Sequence, residues 1–529
     1  MDPVYEPPDS TSFPGDLVKY LIVVILNCFW VFTRGSTPLP IVDPSQELPF
    51  LCWLFPSSAV YLKSTYPTRP LLFITELGMN PFKVWTRWRP LDPTDSQNGE
   101  IIRGYNQDYH HQPLRISIAA SPEVQALSSR ERSWKSDFSF DGAFEPDENN
   151  NVVYNRIVAP IIPDVLRGRC CNFFAYGHSG SGKTHTMIGY DFENSDEFGL
   201  CLAAARQLAD ALERINVGDS AYRFGIGLRM YEIRKNSAFD LLNNRNECFV
   251  REGPDRRVYI RGETEMLENG KVRVRPIATR ACWSFEQLQW ELQQGLKHRT
   301  TAISTVHEQS SRTHAVMEME IITTDLLNAR DSVVERQSEL VPVGKYATDV
   351  YIEEQLRAMV RTGDGNYIQN PTYDVNQQRI DAAETRKAEF ESRVKEAEEH
   401  ESDVFAITAR AHQCIGGRLV FVDLAGAEFF SGIAGAALKQ SPQEKQQGRQ
   451  INTDLLALKE VIRARSLGQL RIPYRSSPLT MVLRQHFEAS SEAQSSIILT
   501  VSPGANQFAA TMNTLKYGDL VGLANRNKR

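Results

Sequence analysis

The sequence predicts an α/β fold in which a central β-sheet, mostly parallel or mixed, is flanked by helices. Two observations carry this prediction. From Met79 onward, segments with the two-residue alternation of strands take turns with segments of helical spacing, an order that is typical of α/β proteins. Residues 177–184 also form a complete phosphate-binding loop between an apolar run and a helical segment, which is the strand–loop–helix context that this motif requires.

The individual elements are predicted from the hydrophobic pattern in chain order. The first strand ends at Pro90, which cannot donate a hydrogen bond to a neighbouring strand. Alternation or short apolar runs predict strands at 82–90, 139–144, 171–176, 224–233, 315–322 and 419–422. Apolar residues at three- and four-residue spacing predict helices at 152–166, 199–212 and 284–296.

Length and composition indicate a large globular protein. With 529 residues and 41% hydrophobic residues, the chain can bury a sizeable core, and about two to four domains are expected. The net charge of −6 does not favour binding to nucleic acid or to an anionic membrane. None of the eight cysteines forms a C-x-x-C pair, so we expect reduced, intracellular cysteines and no zinc site.

Residues 1–78 are proline-rich and apolar without clear periodicity. The apolar run at 21–32 is interrupted by Asn27 and is shorter than the roughly 20 residues of a membrane span. Acidic residues outnumber Lys19 ahead of the run, whereas a signal peptide begins with basic residues. A membrane anchor is therefore not expected. The sequence leaves open whether this segment belongs to the functional protein or whether Met79 is its true start.

The amino-acid composition changes again between about residue 323 and residue 417. This stretch is charged and poor in large apolar residues. It contains one short amphipathic helix, although Lys387 interrupts the apolar stripe; the stripe consists of Ile380, Ala383, Phe390, Val394 and Ala397. Two imperfect heptads are too few to predict a coiled coil, so a solvated surface insertion is favoured over a dimerisation device.

The phosphate-binding loop carries most of the chemical information. Its glycines let backbone N–H groups close around a polyphosphate, and the following helix directs its positive end at the same anion. Lys183 can reach the terminal phosphates, and the Thr184 hydroxyl can bind Mg²⁺. The candidate phosphate-binding residues are Gly177, His178, Ser179, Gly180, Ser181, Gly182, Lys183 and Thr184.

Two further segments supply what a nucleotide hydrolase needs besides phosphate binding. Residues 310–314 read S-S-R-T-H, and a hydroxyl pair beside an arginine can bind Mg²⁺ and position a water. Residues 423–428 read D-L-A-G-A-E, in which an aspartate can hold Mg²⁺ through water and a glycine can offer its N–H to the γ-phosphate. The candidate catalytic residues are Ser310, Ser311, Arg312, Asp423, Gly426 and Glu428.

In this order, the motifs resemble those of the kinesin motor domain, from about Met79 to Arg529 apart from the insertion. The R-W-R-P at 87–90 resembles the adenine-side motif of that family, and 299–314 and 423–428 resemble its switch I and switch II. The segment at 451–458 resembles the relay helix that faces the microtubule. Other matching segments are 140–144, 231–242, 472–480 and 514–517.

The resemblance implies a three-layer kinesin-type motor core that hydrolyses ATP with Mg²⁺, binds microtubules and works on the cytoplasmic cytoskeleton. Adenine would lie near Arg87, Arg89, Pro90 and His185. The resemblance assigns Thr184 and Ser311 to Mg²⁺, with Asp423 behind a water. It assigns Ser310, Arg312 and Glu428 to the attacking water. Gly426 would sense the γ-phosphate, and its motion would reach the helix near Asn452.

Several positions depart from the family pattern, and they are His307, Ala427, Thr453, Asp454 and Pro478. Asp454 is expected to face the acidic filament and to weaken the attraction. The remaining basic candidates for filament contact are Lys439, Lys445, Arg449, Arg471, Arg475 and Arg484. These departures leave a second hypothesis open, a nucleotide-sensitive microtubule-binding or scaffold protein that hydrolyses ATP weakly.

Short stretches at 151–154 and 455–463 resemble the internal-motor, depolymerising kinesins. No heptads of a coiled-coil stalk are visible in residues 1–78 or after the last predicted helix, so neither a stable coiled-coil dimer nor processive stepping is expected from this chain. A GTPase is disfavoured because no N-K-x-D motif occurs.

Overall fold

A computed structural model describes residues 82–91, 99–107, 113–120, 132–218, 222–253, 256–267, 272–300, 312–361, 363, 366–427, 442–488 and 494–526. Several positions singled out from the sequence lie outside these residues. They are the whole segment 1–78 and His307, Ser310, Ser311, Glu428 and Lys439.

The centre of the fold is a mixed sheet in the order β10-β9-β8-β7-β14-β17-β6-β18-β1-β5, with β13 paired to β7. The five strands from β17 to β5 are parallel, and the strands from β10 to β17 are antiparallel. These strands are β1 (Phe82–Trp88), β5 (Gly142–Phe144), β6 (Cys170–Tyr176), β7 (Phe224–Arg234), β8 (Ser237–Asp240), β9 (Asn246–Glu252), β10 (Val258–Gly262), β13 (Arg280–Cys282), β14 (His314–Thr323), β17 (Arg418–Asp423) and β18 (Gln494–Val501).

Smaller sheets lie outside this central sheet. One contains β2 (Ile101–Gln107), β3 (Leu114–Ala120) and β4 (Ser133–Lys135). Two antiparallel pairs are β11 (Glu265–Met266) with β12 (Val272–Arg273), and β15 (Met359–Arg361) with β16 (Tyr367–Gln369).

Apolar cores lie on both faces of the central sheet, because successive side chains of a strand point to opposite sides. Strand β6 shows this directly: Phe173 and Ala175 belong to one core, and Phe174 and Tyr176 to the other. All seven residues of β6 are buried, as expected for a parallel strand covered on both faces. The predicted helix–sheet–helix arrangement is therefore confirmed.

The helices are α1 (Asn150–Ile157), α2 (Ile162–Val165), α3 (Lys183–Met187), α4 (Leu200–Gly218), α5 (Phe285–Thr300), α6 (Thr324–Arg357), α7 (Gln377–Ala411), α8 (Pro442–Ser466), α9 (Pro478–Glu488) and α10 (Phe508–Arg526). Helices α4 and α5 contribute to one core, and α8, α9 and α10 to the other. No helix among the described residues has both the length and the apolar character that a membrane span requires.

The predicted helix at 152–166 is divided in the structure. Helix α1 begins after the N-cap Asn149, whose side chain accepts a hydrogen bond from the Val152 N–H. A 3₁₀ turn at Ala159–Ile161 separates it from α2. Pro160 lies in this turn, and proline cannot donate the hydrogen bond that would continue the helix.

The charged insertion is far more ordered than one short amphipathic helix. Helices α6 and α7 contain 34 and 35 residues and pack against each other through a small core that includes Ala347, Val350, Ile380 and Ala383. The sequence shows only a weak stripe because each helix needs few apolar contacts once the other lies beside it. The short-helix prediction was therefore wrong in extent, although its stripe does supply part of the interface.

Ion pairs hold the base of this hairpin to the central sheet. Arg330 on α6 bonds both oxygens of Glu320 on β14, at 3.1 and 3.0 Å, and bonds Glu401 on α7 at 3.0 Å. Arg418 at the start of β17 lies 2.9 Å from the same Glu320. The hairpin therefore emerges from the two strands whose opposite ends carry the predicted switch segments.

Candidate nucleotide-binding site

The phosphate-binding loop leaves β6 at Tyr176 and enters α3 at Lys183. Gly180 and Gly182 have φ angles of +74° and +100°, which L-residues with side chains rarely adopt. At Gly177 a Cβ atom would lie 2.3 Å from the Thr500 carbonyl oxygen. The glycines of the motif therefore meet backbone requirements of this loop, which curves around a space that can hold an anion.

Lys183 is buried inside the loop and provides its positive charge. Its Nζ donates to the carbonyl oxygens of Gly177 at 3.2 Å and of His178 at 2.8 Å. Burial lowers the pKa of Lys183 to about 8, although Asp423 opposes this shift. An anion that enters the loop favours the charged ammonium and raises this pKa again, so Lys183 is suited to bind a phosphate as a cation.

Asp423 lies at the carboxyl end of β17 and is fully buried. Its Oδ2 accepts hydrogen bonds from the Thr184 hydroxyl and from Nη1 of Arg299, both at 2.8 Å. Its Oδ1 has no hydrogen-bond partner within the part of the chain that the structure describes. A buried carboxylate oxygen without a partner, beside a hydroxyl and a phosphate loop, fits a water-coordinated Mg²⁺.

The predicted metal ligands Thr184 and Asp423 are thus brought together, and Ser311 lies outside the described residues. No cluster of three or more His, Cys, Asp or Glu side chains suited to a metal is found within the described ranges.

Arg299 is a site residue whose role the sequence reasoning missed. It lies at the end of α5, is 2% exposed and bonds Asp423 as well as the Thr313 carbonyl oxygen, the latter at 3.3 Å. The sequence places it only at the start of the segment that resembles switch I. A basic residue in the last turn of a helix usually lies at the surface, so nothing in the local pattern indicates a buried ion pair.

The D-L-A-G-A segment packs directly on the phosphate loop. The Ala427 N–H donates to the Gly177 carbonyl oxygen at 3.1 Å. A Cβ atom at Gly426 would lie 2.7 Å from the Ser179 nitrogen, so only glycine fits without movement of the loop. Gly426 therefore lies close enough to the phosphate loop to respond to a change in the bound phosphates. Arg312 precedes β14, at the end of the other predicted switch segment.

A cavity of about 240 Å³ adjoins the loop and is lined by the predicted adenine-side residues. Its lining includes Arg87, Arg89, Pro90, Gly182 and His185. Burial lowers the pKa of His185 to about 4, with a further contribution from Arg87. The imidazole is therefore neutral near pH 7 and can lie against a base without carrying charge.

Arg87 lines this cavity, but its guanidinium is committed to the protein. Nη1 donates to Asn150 Oδ1 at 2.5 Å and to Thr186 Oγ1 at 2.9 Å. Asn150 in turn donates to the carbonyl oxygens of His185 and Glu197. Arg87 therefore ties α1 to α3 below the phosphate loop, and Arg89, Pro90 and His185 present the better surface for a base.

The family model described as "Kinesin motor domain" matches residues 87–343 and 373–523, well over half of the chain. This chain belongs to the kinesin motor domain family. The interval between the two matched ranges falls in the outer part of the α6–α7 hairpin.

The kinesin relatives include "Kinesin-like protein KIF24" of Homo sapiens, 26% identical over 92% of this chain and 26% of the relative. "Kinesin-like protein KIN-13A" of Oryza sativa subsp. japonica is 27% identical over 84% of this chain and 41% of the relative. The chain thus spans between about a quarter and a half of these curated relatives. A solved structure described as that of a fast kinesin matches with a TM-score of 0.49 and 19% identity, covering 84% and 91% of the two chains.

One expectation from the sequence, that Asp454 faces the filament, needs correction. Asp454 on α8 does not face outward: it is 2% exposed, and its Oδ1 accepts a hydrogen bond from Gln450 at 3.1 Å. Arg475 and Arg484, two of the basic candidates, both form ion pairs with Glu252, and the Arg475 side chain is 74% exposed. The side of α8 that Asp454 occupies is set by helical periodicity, which places it with Ile451, Leu455 and Leu458.

Proposed function

We propose that this kinesin is an ATP-hydrolysing, microtubule-binding motor domain that requires Mg²⁺ and acts on the cytoplasmic microtubule cytoskeleton. The observation that carries the proposal is the convergence of three separated segments. Thr184 of the phosphate loop, Asp423 of the D-L-A-G segment and Arg299 of the switch I region meet within 2.8 Å contacts. The motor domain would run from Met79 to Arg529, with residues 323–417 as its insertion.

Each residue of the site has a defined role in this proposal. Lys183 and the loop N–H groups bind the β- and γ-phosphates, and Thr184 with Asp423 would hold Mg²⁺. When bound, Mg²⁺ neutralises charge on the transferred phosphoryl group. Gly426 donates its N–H toward the γ-phosphate. Gly426 lies close to Ser179 of the loop, so we expect loss of the γ-phosphate contact to release the segment 423–427 from the loop and to move α8 with it.

The test is the steady-state ATPase of the full chain with and without microtubules. We expect microtubules to raise the rate at least tenfold, and Gly426→Ala to abolish the increase because its Cβ would clash with the Ser179 backbone. Gly344→Ala is the matched control, since a Cβ there meets nothing within 4 Å. If microtubules change neither the ATPase rate nor nucleotide release, the motor hypothesis fails.

A second candidate is a depolymerising kinesin with weak hydrolysis and no processive stepping. The short stretches 151–154 and 455–463 favour it, because they resemble the internal-motor, depolymerising kinesins. Incubation with stabilised microtubules followed by sedimentation separates the two. Tubulin released into the supernatant with ATP would favour depolymerisation, whereas gliding of intact filaments over surface-bound protein would favour a translocating motor.

A scaffold that barely hydrolyses ATP is distinguished by single-turnover measurement. Rapid phosphate formation followed by fast steady-state turnover in the presence of microtubules would exclude it. Binding of microtubules in a nucleotide-dependent manner without turnover would establish it instead.

A further inference from the structure

His314, at the start of β14, is a buried histidine that lies between the two predicted switch segments and helix α8. It is 2% exposed and follows directly after Arg312 and Thr313. Its Nδ1 accepts a hydrogen bond of 3.1 Å from the backbone N–H of Ala425 in the D-L-A-G segment. One ring nitrogen is therefore bound to the predicted switch II, on a residue that belongs to the end of the predicted switch I.

This hydrogen bond fixes the tautomer of the ring. A backbone N–H can only donate, so Nδ1 carries no proton and the neutral imidazole carries its proton on Nε2. Burial lowers the pKa of His314 to about 3, and the charges of Arg299 and Lys183 lower it further. The ring is neutral near pH 7, and its single N–H points away from Ala425.

The Nε2–H of His314 faces the relay helix α8. Asp454 Oδ2 lies 3.9 Å from Nε2, and both side chains are buried. Nε2 has no hydrogen-bond partner among the described residues. A hydrogen bond needs about 2.7–3.2 Å between these atoms, so the pair lies roughly 1 Å beyond bonding distance. Movements of 1–2 Å are the usual size of helix shifts in switching proteins.

Asp454 is placed to accept a hydrogen bond from this N–H. Its other oxygen, Oδ1, accepts from Gln450 on the same helix, which orients the carboxylate. Ile451, Leu455 and Leu458 of α8 pack in the same apolar core as Leu424 and Ala425. The polar pair is therefore buried beside an apolar core that α8 shares with the D-L-A-G segment, and a hydrogen bond formed away from water is stronger than one in water.

We propose that Asp454 is a positioning residue that links the relay helix to both switch segments by accepting a hydrogen bond from His314. The link is open at 3.9 Å in this structure and closes when α8 shifts toward β14 during the nucleotide cycle. His314 then joins Ala425 on one side to Asp454 on the other, so the helix responds to both loops together. This inference rests on the proposed motor function for its role in the cycle.

The first experiment compares Asp454→Leu with Asp454→Asn in the full chain. Leucine removes the acceptor, whereas asparagine keeps a carbonyl oxygen for His314 and can still bond the reorientable Gln450 amide. We expect the leucine variant to lose about tenfold of the microtubule stimulation of kcat, with the basal rate changed less than about twofold, as for loss of one hydrogen bond to a carboxylate. The asparagine variant should stay within about threefold of the parent.

A double variant tests the pairing itself. In His314→Phe with Asp454→Leu, stimulation should fall no further than in the worse single variant, because both changes remove the same link. Thermal unfolding of each variant shows that it is folded. Stimulation unchanged in Asp454→Leu, equal losses in the leucine and asparagine variants, or additive losses in the double variant would each overturn the proposal.

A spectroscopic measurement separates this inference from the proposed function. With ¹⁵N-labelled histidine, the Nε2–H resonance of His314 is identified by its loss in His314→Phe. It should move downfield between Mg·ADP and a non-hydrolysable Mg·ATP analogue as the bond to Asp454 closes. A resonance that does not change overturns the inference. A resonance that shifts in a protein without microtubule-stimulated ATPase would overturn the motor function alone.

Discussion

Nη1 of Arg299 lies 2.8 Å from Oδ2 of Asp423, and the two side chains are 2% and 0% exposed. Each charge is therefore out of water, and the ion pair offsets part of the cost of burying it. The same Asp423 oxygen accepts from Thr184, so Oδ2 is bound to the protein while Oδ1 is left for a water-coordinated Mg²⁺. Arg299 and the metal would therefore both be attracted by the charge of one carboxylate.

Arg299→Met should destabilise the protein in the absence of nucleotide and magnesium. An unpaired buried carboxylate costs about 3–5 kcal/mol, which we expect as the fall in the free energy of unfolding. Mg·ADP should recover part of this loss, so that its stabilising effect on the melting temperature is larger in the variant than in the parent. Thermal unfolding with and without Mg·ADP measures both.

Arg336→Met is the matched control for this substitution. Arg336 pairs with Glu339 at the surface, and such pairs contribute about 0–1 kcal/mol. A loss in Arg299→Met no greater than that of the control would show that the buried pair is not required for stability.

Thr184→Val should impair magnesium-dependent turnover while leaving the fold intact. Valine has nearly the shape of threonine but lacks the hydroxyl that now bonds Asp423 and would bind Mg²⁺. We expect kcat to fall by about two orders of magnitude, and Thr184→Ser to retain most of the activity. Thr348→Val on the exposed side of α6 should leave the ATPase rate unchanged. Full activity of Thr184→Val across a magnesium titration would contradict this role.

Asp454 makes the stability of the protein depend on pH. Burial raises the pKa of Asp454 from 3.8 to about 6. Between these values the folded state holds a proton that the unfolded state has released, so stability falls as pH rises through this window and is constant above it. Asp454→Asn removes the effect and should be more stable than the parent by up to about 3 kcal/mol near pH 7.

Urea unfolding of the parent and of Asp454→Asn between pH 4 and 8 measures this difference. The gain of the asparagine variant should grow from about pH 4 to about pH 6 and then remain level. A gain that is equally large at pH 4 and pH 7 would show that the ionisation of Asp454 is not its cause.

Arg330→Met should loosen the α6–α7 hairpin. Although burial opposes it, the charges of Arg418 and Arg330 hold the pKa of Glu320 well below its usual range. Loss of Arg330 leaves Arg418 as the main partner of Glu320 and removes the bond to Glu401. We expect a loss of roughly 2–3 kcal/mol and faster amide exchange at the base of α6 and α7.

Lys395→Met provides the comparison for the hairpin. Lys395 pairs with Glu399 on the outer surface of α7, with both side chains more than half exposed, so its loss should cost less than about 1 kcal/mol. Hydrogen exchange that changes equally in both variants would indicate that the Arg330 network does not anchor the hairpin.

The local sequence was sufficient wherever a structural requirement is met within a few residues. The phosphate loop is an example. Glycine is needed at positions 180 and 182 because their φ angles are positive, and at Gly177 because the Thr500 backbone lies too close for a side chain. The predicted strands of the central sheet were found for a similar reason, because strands covered on both faces are rich in apolar residues over a short stretch, as β6 is. The prediction of one continuous helix at 152–166 was wrong only at Pro160, because whether a proline ends a helix depends on the residues around it.

The insertion shows where local pattern is insufficient. Residues 323–417 show a weak stripe, yet they form two long helices, because the stabilising contacts come from one helix to the other and from Arg330 to the sheet. Long-range ion pairs leave no periodic trace in a sequence. The same holds for Arg299, which is 124 residues away from its partner Asp423.

The sequence by itself determined the order of the elements, the phosphate-binding loop and the resemblance to the kinesin motor domain, because each depends on residue types at short, fixed spacing. Tertiary structure alone decided that Asp454 points inward to His314, that Arg299 neutralises Asp423 and that Arg475 and Arg484 are bound to Glu252. Those outcomes depend on which distant surfaces pack together, and burial then sets the charge and reach of each side chain.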